Sequence, residues 1–166
     1  EFIPGRSLRQ AMNEMTPAEL KQVYAKLQKD FAADAFMGNR DVIGMDFDNV
    51  LIDAKGEVWR IDNGGSLRRR AQGDLKAGGW DAHPMELWTM RNPTVNAQTA
   101  QVFKGIGIDD LTGQIDAIAV KRAEILKALP KDLQKAAVAR LDRMEDIARI
   151  AKTLRADKFT EQYVDG

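Results

Sequence analysis

Asn39, Asp41, Asp46, Asp48, Asn49, Asp53, Asp62 and Asn63 all fall within "FMGNRDVIGMDFDNVLIDAKGEVWRIDNGG", interrupted by two apolar runs. Carboxylates crowded in this way repel one another unless a cation or hydrogen-bond donors stand between them. Acids mixed with asparagine amides offer only oxygen ligands, which suits magnesium, manganese or calcium. Asn49 supplies a neutral carbonyl oxygen, Asp62 a carboxylate able to bridge a metal and phosphate oxygens, and Asp41 a base for an incoming hydroxyl. Magnesium takes few protein ligands when phosphate oxygens complete its shell, so two residues suffice. Phosphoryl transfer requires such a set.

The flanking sequence shows how these groups are positioned. "TPAEL" places Thr16 as an N-cap, Pro17 at the first helical position and Glu19 at the third, a capping box that opens a helix. Leu20, Val23, Tyr24, Leu27, Phe31, Ala35 and Phe36 recur at threes and fours, predicting one long helix with a buried face that Gly38 stops. Val50 to Ile52 and Val58 to Ile61 are short branched runs separated by "DAKGE", which predicts a β-hairpin. Asn49 enters the first strand and Asp62 leaves the second, so pairing brings them together.

Elsewhere the chain reads as helical. Glu1 to Pro4 is extended, Ser7 caps a short helix to about Met15, and 68–92 is irregular with Trp80 and Trp88 as anchors. Helices are expected from Asn96 to about Lys104, from Asp109 to about Leu129, and, after the break at Pro130, from Lys131 to about Arg155. The fold class is mostly α with a small β-hairpin, in one domain.

Composition narrows the chemistry. In 166 residues, Lys plus Arg and Asp plus Glu balance at 25 each, so no net field favours nucleic acid or an anionic membrane. With no cysteine and one histidine, His83, thiol nucleophiles, disulfides and the common zinc frameworks are excluded. No run approaches a membrane span, and a soluble, cytoplasmic chain is expected.

The order of a long helix, an Asp-containing loop, Asn leading into an apolar strand, a turn, and a second strand ending in Asp then Gly resembles the C-terminal, catalytic lobe of the protein-kinase-like fold. "GNRD…DNVLID…GEVWRIDNGG" is most similar to the atypical branches, HipA-like and phosphatidylinositol-kinase-like. The resemblance divides a single lobe, 1–166, into a hinge-like segment at 1–6, a stretch at 16–67 holding the long helix, catalytic-type loop and metal-binding hairpin, and a helical remainder at 94–166. It implies an ATP- and magnesium-dependent phosphotransferase with Asp41 as catalytic aspartate and Asn49 and Asp62 as ligands of metal and nucleotide. The phosphate acceptor is unassigned. The chain departs from the pattern in two places: the spacing from Asp41 to Asn49 is eight rather than five, and Asn63 stands where the usual motif has Phe. The family's N-terminal lobe, with its strand lysine and glycine-rich cover, has no counterpart here, so a fragment is expected.

Other residues have plainer readings. Arg68 to Arg70 read as a solvated charge run, the alternative being a grip on a phosphate or an acidic substrate, His83 reads as a structural loop residue, and Trp59, Trp80 and Trp88 read as core. Asp34 is a further acid, but it precedes the loop. The stripe of Leu141, Met144, Ile147, Ile150 and Leu154 packs on the same lobe. The alternative to an active lobe is a non-catalytic pseudokinase or helical interaction module. A calcium domain is disfavoured, because "DFDNVLID" lacks the regular acidic spacing of an EF-hand loop.

Overall fold

The computed structural model describes residues 4–70 and 72–154. The expectations for Glu1 to Ile3, for Arg155 and for the residues after it lie outside the described residues. The elements run β1 (Gly5–Ser7), α1 (Leu8–Glu14), α2 (Pro17–Gln28), α3 (Phe31–Met37), β2 (Val50–Asp53), β3 (Val58–Arg60), α4 (Glu86–Thr89), α5 (Ala97–Phe103), α6 (Ile108–Val120), α7 (Arg122–Ala128) and α8 (Lys131–Thr153). The architecture is mostly α with a small antiparallel sheet. None of the described helices is long and apolar enough to cross a membrane.

The capping boxes form as the sequence requires. Ser7 and Gln10 close α1, and Thr16 and Glu19 close α2, each side chain meeting the other's backbone N–H. The Thr16 side-chain and backbone donors hold the Glu19 carboxyl below its ordinary range.

The expected long helix is two helices. Its break at Lys29–Asp30 is stabilised by tertiary partners that take the backbone groups a continuous helix would have used. Arg60 Nη2 donates to Leu27 O at 2.9 Å, while Gln114 on α6 donates Nε2 to Gln28 O at 2.8 Å and accepts from Ala32 N at 3.0 Å. Helical spacing continues across this kink, so the periodicity alone does not reveal it. The helix expected from Asp109 to Leu129 is likewise divided, at Lys121 (φ −90°, ψ 8°), into α6 and α7.

The hairpin gains a third strand. β1 pairs antiparallel with β2 (Arg6 opposite Ile52), and β2 with β3 (Leu51 opposite Trp59). The "DAKGE" turn is held by the Asp53 carboxylate, which accepts from the backbone N–H groups of Glu57 and Lys55 and from Trp59 Nε1. Trp59 lies on the outer face, 44% exposed, so it is not core as expected; Trp80 is, at 6%. The inner face, with Val50 and Ile52, joins a core of Leu27, Phe31, Ile43, Phe103, Ile115, Leu141 and Met144. Within it, the Phe31 and Phe103 rings lie 5.0 Å apart.

α3 is the element that matters most for the site. Its face buries Phe31, Ala32, Ala35 and Phe36. It ends at Gly38 in the left-handed conformation (φ 68°), beside the Trp80 ring, so the loop with Asn39 and Asp41 leaves from a fixed point.

Candidate functional site

Asp41, Asn49 and Asp62 reach the same end of the sheet by different routes. The loop from Asp41 to Asn49 is a series of turns: Gly44 N donates to Asp41 O at 3.0 Å, Phe47 N to Gly44 O at 3.3 Å, and Asn49 N to Ile43 O at 3.4 Å. Val42 and Ile43 anchor it in the core. Gly44 has φ 79°, and a Cβ there would collide with Asp48 Oδ1 and lie 3.0 Å from the Asn49 backbone nitrogen. This folding takes up the eight-residue spacing, and Asn49 Nδ2 returns to donate to Asp41 O at 2.7 Å, with Asp41 Oδ2 at 3.5 Å.

Phe47 also has positive φ, 58°, unusual for an aromatic residue. Its carbonyl accepts from Arg9 N at 3.0 Å, and Arg9 pairs with the neighbouring Asp46 at 2.6 Å. Asp46 is therefore part of the loop's anchorage.

Asp62 is placed by the sheet. Ile61 N donates to Asn49 O at 3.1 Å, which extends the β2–β3 pairing by one step and sets Asp62 just beyond. The Asp62 carboxylate then accepts from Gly64 N at 2.8 Å, an Asx turn that fixes the side chain. Asn39, 1% exposed, donates Nδ2 to Asn63 Oδ1 at 3.3 Å and ties the two segments together. Its own Oδ1 is buried without a partner.

The electrostatics follow. Burial raises the Asp41 carboxyl, the Asp62 charge adds to this, the Asn49 hydrogen bond opposes it, and Asp48 raises it further. Among the described residues no lysine or arginine pairs with Asp41, Asp48 or Asp62. The neighbouring acids are paired: Asp46 with Arg9, Asp34 with Arg60, Glu86 with Arg40 and Arg140.

The donor set fits a hard cation bound together with a ligand's own oxygens. Asn49 has committed its NH2 to Asp41, leaving Oδ1 without an intramolecular donor among the described residues; one oxygen of Asp62 accepts from Gly64 and the other is unclaimed. No group of three or more His, Cys, Asp or Glu side chains among the described residues could hold a metal by itself. Any cation here would depend on Asn49 and on oxygens brought by the ligand.

Asp34 does not join this group. It lies on α3, 7% exposed, and its Oδ2 accepts from Arg60 Nη2 at 2.7 Å and Nε at 3.0 Å. Burial pushes its carboxyl up to about 6, against the pull of Arg60. Asp34 thus locks α3 to β3, the strand that delivers Asp62.

A cleft of about 550 Å³ lies beside Asp41, and its lining includes Arg40, Arg70, Lys76, Trp80, Glu86 and Arg140. Arg140, a buried arginine that the sequence reading missed, lines it from α8. At 2% exposed, Arg140 donates Nε to Phe36 O at 2.9 Å, Nη2 to Ala35 O at 2.8 Å and Nη1 to His83 O at 2.8 Å, and pairs with Glu86. It satisfies the end carbonyls of α3 and also lies over the Trp80 ring, 5.9 Å from its centroid. Burial lowers its pKa, and Glu86 opposes that. One signal for this role was present: Ala137, Arg140, Leu141, Met144 and Ile147 share one helical stripe, and a charge on an apolar stripe requires a partner.

His83 itself is exposed, with its backbone in the network, while Arg68 pairs with Asp132 on α8. Comparison with protein-family models, with curated proteins and with solved structures gave no significant match.

Proposed function

We propose that this chain is the catalytic-type, mostly helical lobe of a kinase-like phosphotransferase that uses magnesium and ATP. One observation carries the reading. Asp41, Asn49 and Asp62, from a loop, a strand entrance and a strand exit, converge at one sheet end, with Asn49 bonded to Asp41 and, among the described residues, no cationic side chain paired with either carboxylate.

In this reading Asn49 Oδ1 and the Asp62 carboxylate hold magnesium, which when bound neutralises charge on the nucleotide phosphates. The Asx turn at Asp62 and the committed Asn49 amide keep both oxygen donors oriented before a ligand arrives. Asp41 lines the cleft, where an acceptor hydroxyl can approach, and its carboxylate takes that proton as the oxygen attacks. The remaining contribution is positioning, since phosphoryl transfer asks little covalent chemistry of the protein.

Calorimetric titration of ATP into the chain, with and without magnesium, tests this. Binding is expected to require magnesium and to be lost in Asp62→Asn. Manganese in place of magnesium should broaden the amide resonances of Asn49, Asp62 and Gly64 before those of α8. Manganese broadening that is spread evenly, or ATP affinity unchanged in Asp62→Asn, would refute the assignment.

A further inference from the structure

We propose that two clefts meeting at Asp41 form one trough for an extended polypeptide acceptor, with acidic side chains on the Arg70 side of the reacting hydroxyl and uncharged ones on the Asn96 side. The role of that hydroxyl rests on the phosphotransfer reading. The polarity of the trough does not.

The cleft of about 550 Å³ and a second of about 400 Å³ share Arg40, Asp41 and Met45. Asp41 therefore lies at the junction, with an arm on either side. A compact molecule would fill one arm; a chain crossing Asp41 fills both.

The first arm carries unspent positive charge. Arg70 is exposed and its guanidinium makes no ion pair among the described residues, while its backbone is pinned by Arg70 N to Asp74 O at 2.7 Å and Gly73 N to Arg70 O at 2.8 Å. Arg40 gives Nε to Glu86 at 3.0 Å, leaving both Nη groups without acceptors among the described residues. Lys76 Nζ donates to Gly38 O and Leu67 O, each at 2.7 Å, which leaves one of its three N–H groups. The acids of this arm are less available: Glu86 is buried between Arg40 and Arg140, and Asp81 lies 3.8 Å from Arg140. Guanidinium and ammonium donors so arranged select carboxylates.

Apart from the shared Arg40 and Asp41, the second arm has no charged lining among the described residues. Thr94, Val95, Asn96 and Gln98 form its wall, and Asn96 Nδ2 donates to Arg40 O at 2.9 Å. Met45, 78% exposed at the junction, and Val95, 52% exposed, offer apolar contacts to a chain passing over them.

The test uses fluorescence anisotropy with the full chain, in the absence of nucleotide and magnesium. The probes are labelled peptides with a central serine and glutamates on one side, the reversed order, and versions with glutamine or lysine in place of glutamate. One glutamate order is expected to bind about tenfold or more tightly than its glutamine version. Arg70→Glu should transfer the preference to the lysine peptide, and Arg149→Glu, a charge reversal near the C-terminal end of α8, outside the lining of either cleft, should not. Equal binding of glutamate and glutamine peptides, an unchanged preference in Arg70→Glu, or free glutamate binding as tightly as the peptide would overturn the proposal. Because nucleotide is left out, acidic-peptide preference without magnesium-ATP binding would keep the trough and remove the phosphotransfer reading.

Discussion

Asp34 decides between two opposed effects, and pH separates them. The ordinary carboxyl value is 3.8, and burial raises Asp34 to about 6 although Arg60 donates two hydrogen bonds to it. The folded state then holds its proton more tightly than the unfolded state does. The associated stability is fully present below 3.8 and is lost as pH rises through about 6. At about 1.36 kcal/mol per pH unit of separation, the ionised form costs about 3 kcal/mol relative to the protonated form. Urea denaturation of the natural chain and of Asp34→Asn between pH 4 and 7.5 measures this directly. The advantage of the natural chain over the variant should shrink with rising pH and level off above about 6. If that advantage grows with pH instead, Arg60 outweighs desolvation and the reasoning is wrong. The consequence for the site is structural: Arg60 also caps Leu27 O at the α2–α3 break, so a loosened pair frees both the kink and β3.

Two further substitutions test the scaffold. Gly44→Ala combines a strained positive φ with a collision against Asp48 and Asn49, so denaturant midpoints should report a loss of about 1–3 kcal/mol. Magnesium-dependent ATP binding should fall with it, and a variant as stable as the natural chain would show that the turn can open freely. Arg140→Met leaves Glu86 buried without its principal partner and uncovers the α3 carbonyls, a loss of about 3–5 kcal/mol by the same measurement. Adding Glu86→Gln should restore part of it, because the uncompensated charge is then gone.

Much of the frame was legible because it depends on local chemistry. Capping boxes at Ser7 and Thr16, the left-handed stop at Gly38 and the Asp53 turn use partners within a few residues, and sequence spacing records such partners. What sequence spacing misses is partnership at long range. The kink at Lys29–Asp30 exists because Gln114 and Arg60, far along the chain, take the freed backbone groups. The addition of β1 to the sheet, the exposure of Trp59 and the buried Arg140 lining the cleft have the same origin. The apolar pattern at Trp59 is that of a buried residue, and only the three-strand register shows that it faces outward beside Leu51. For the candidate site, the sequence order suggested that Asn49 and Asp62 lie close together. The bond from Asn49 to Asp41 depends instead on how the intervening turns fold.

Asp34 and Asp41 contrast in how the fold answers a carboxyl raised by burial, which bears on the proposed cation. At Asp34 it supplies a guanidinium, and the pair holds α3 against β3. At Asp41 it supplies an amide and two further carboxylates, Asp48 and Asp62, whose charges make ionisation harder. Arginine and lysine are not scarce nearby: Arg9 pairs with Asp46, Arg40 gives Nε to Glu86 and Lys76 donates to Gly38 O and Leu67 O, yet among the described residues none of them pairs with Asp41, Asp48 or Asp62. Asp48 and Asp62 are exposed and Asp41 is half-buried, so the unfavourable charge falls on ionised Asp41, and a cation arriving with its own anionic ligand would relieve it. The same cation would lower the Asp41 pKa by offsetting Asp62. Magnesium added with ATP should therefore raise the thermal midpoint of the natural chain more than that of Asp62→Asn, and equal shifts in the two would show that this carboxylate is not where the ion resides.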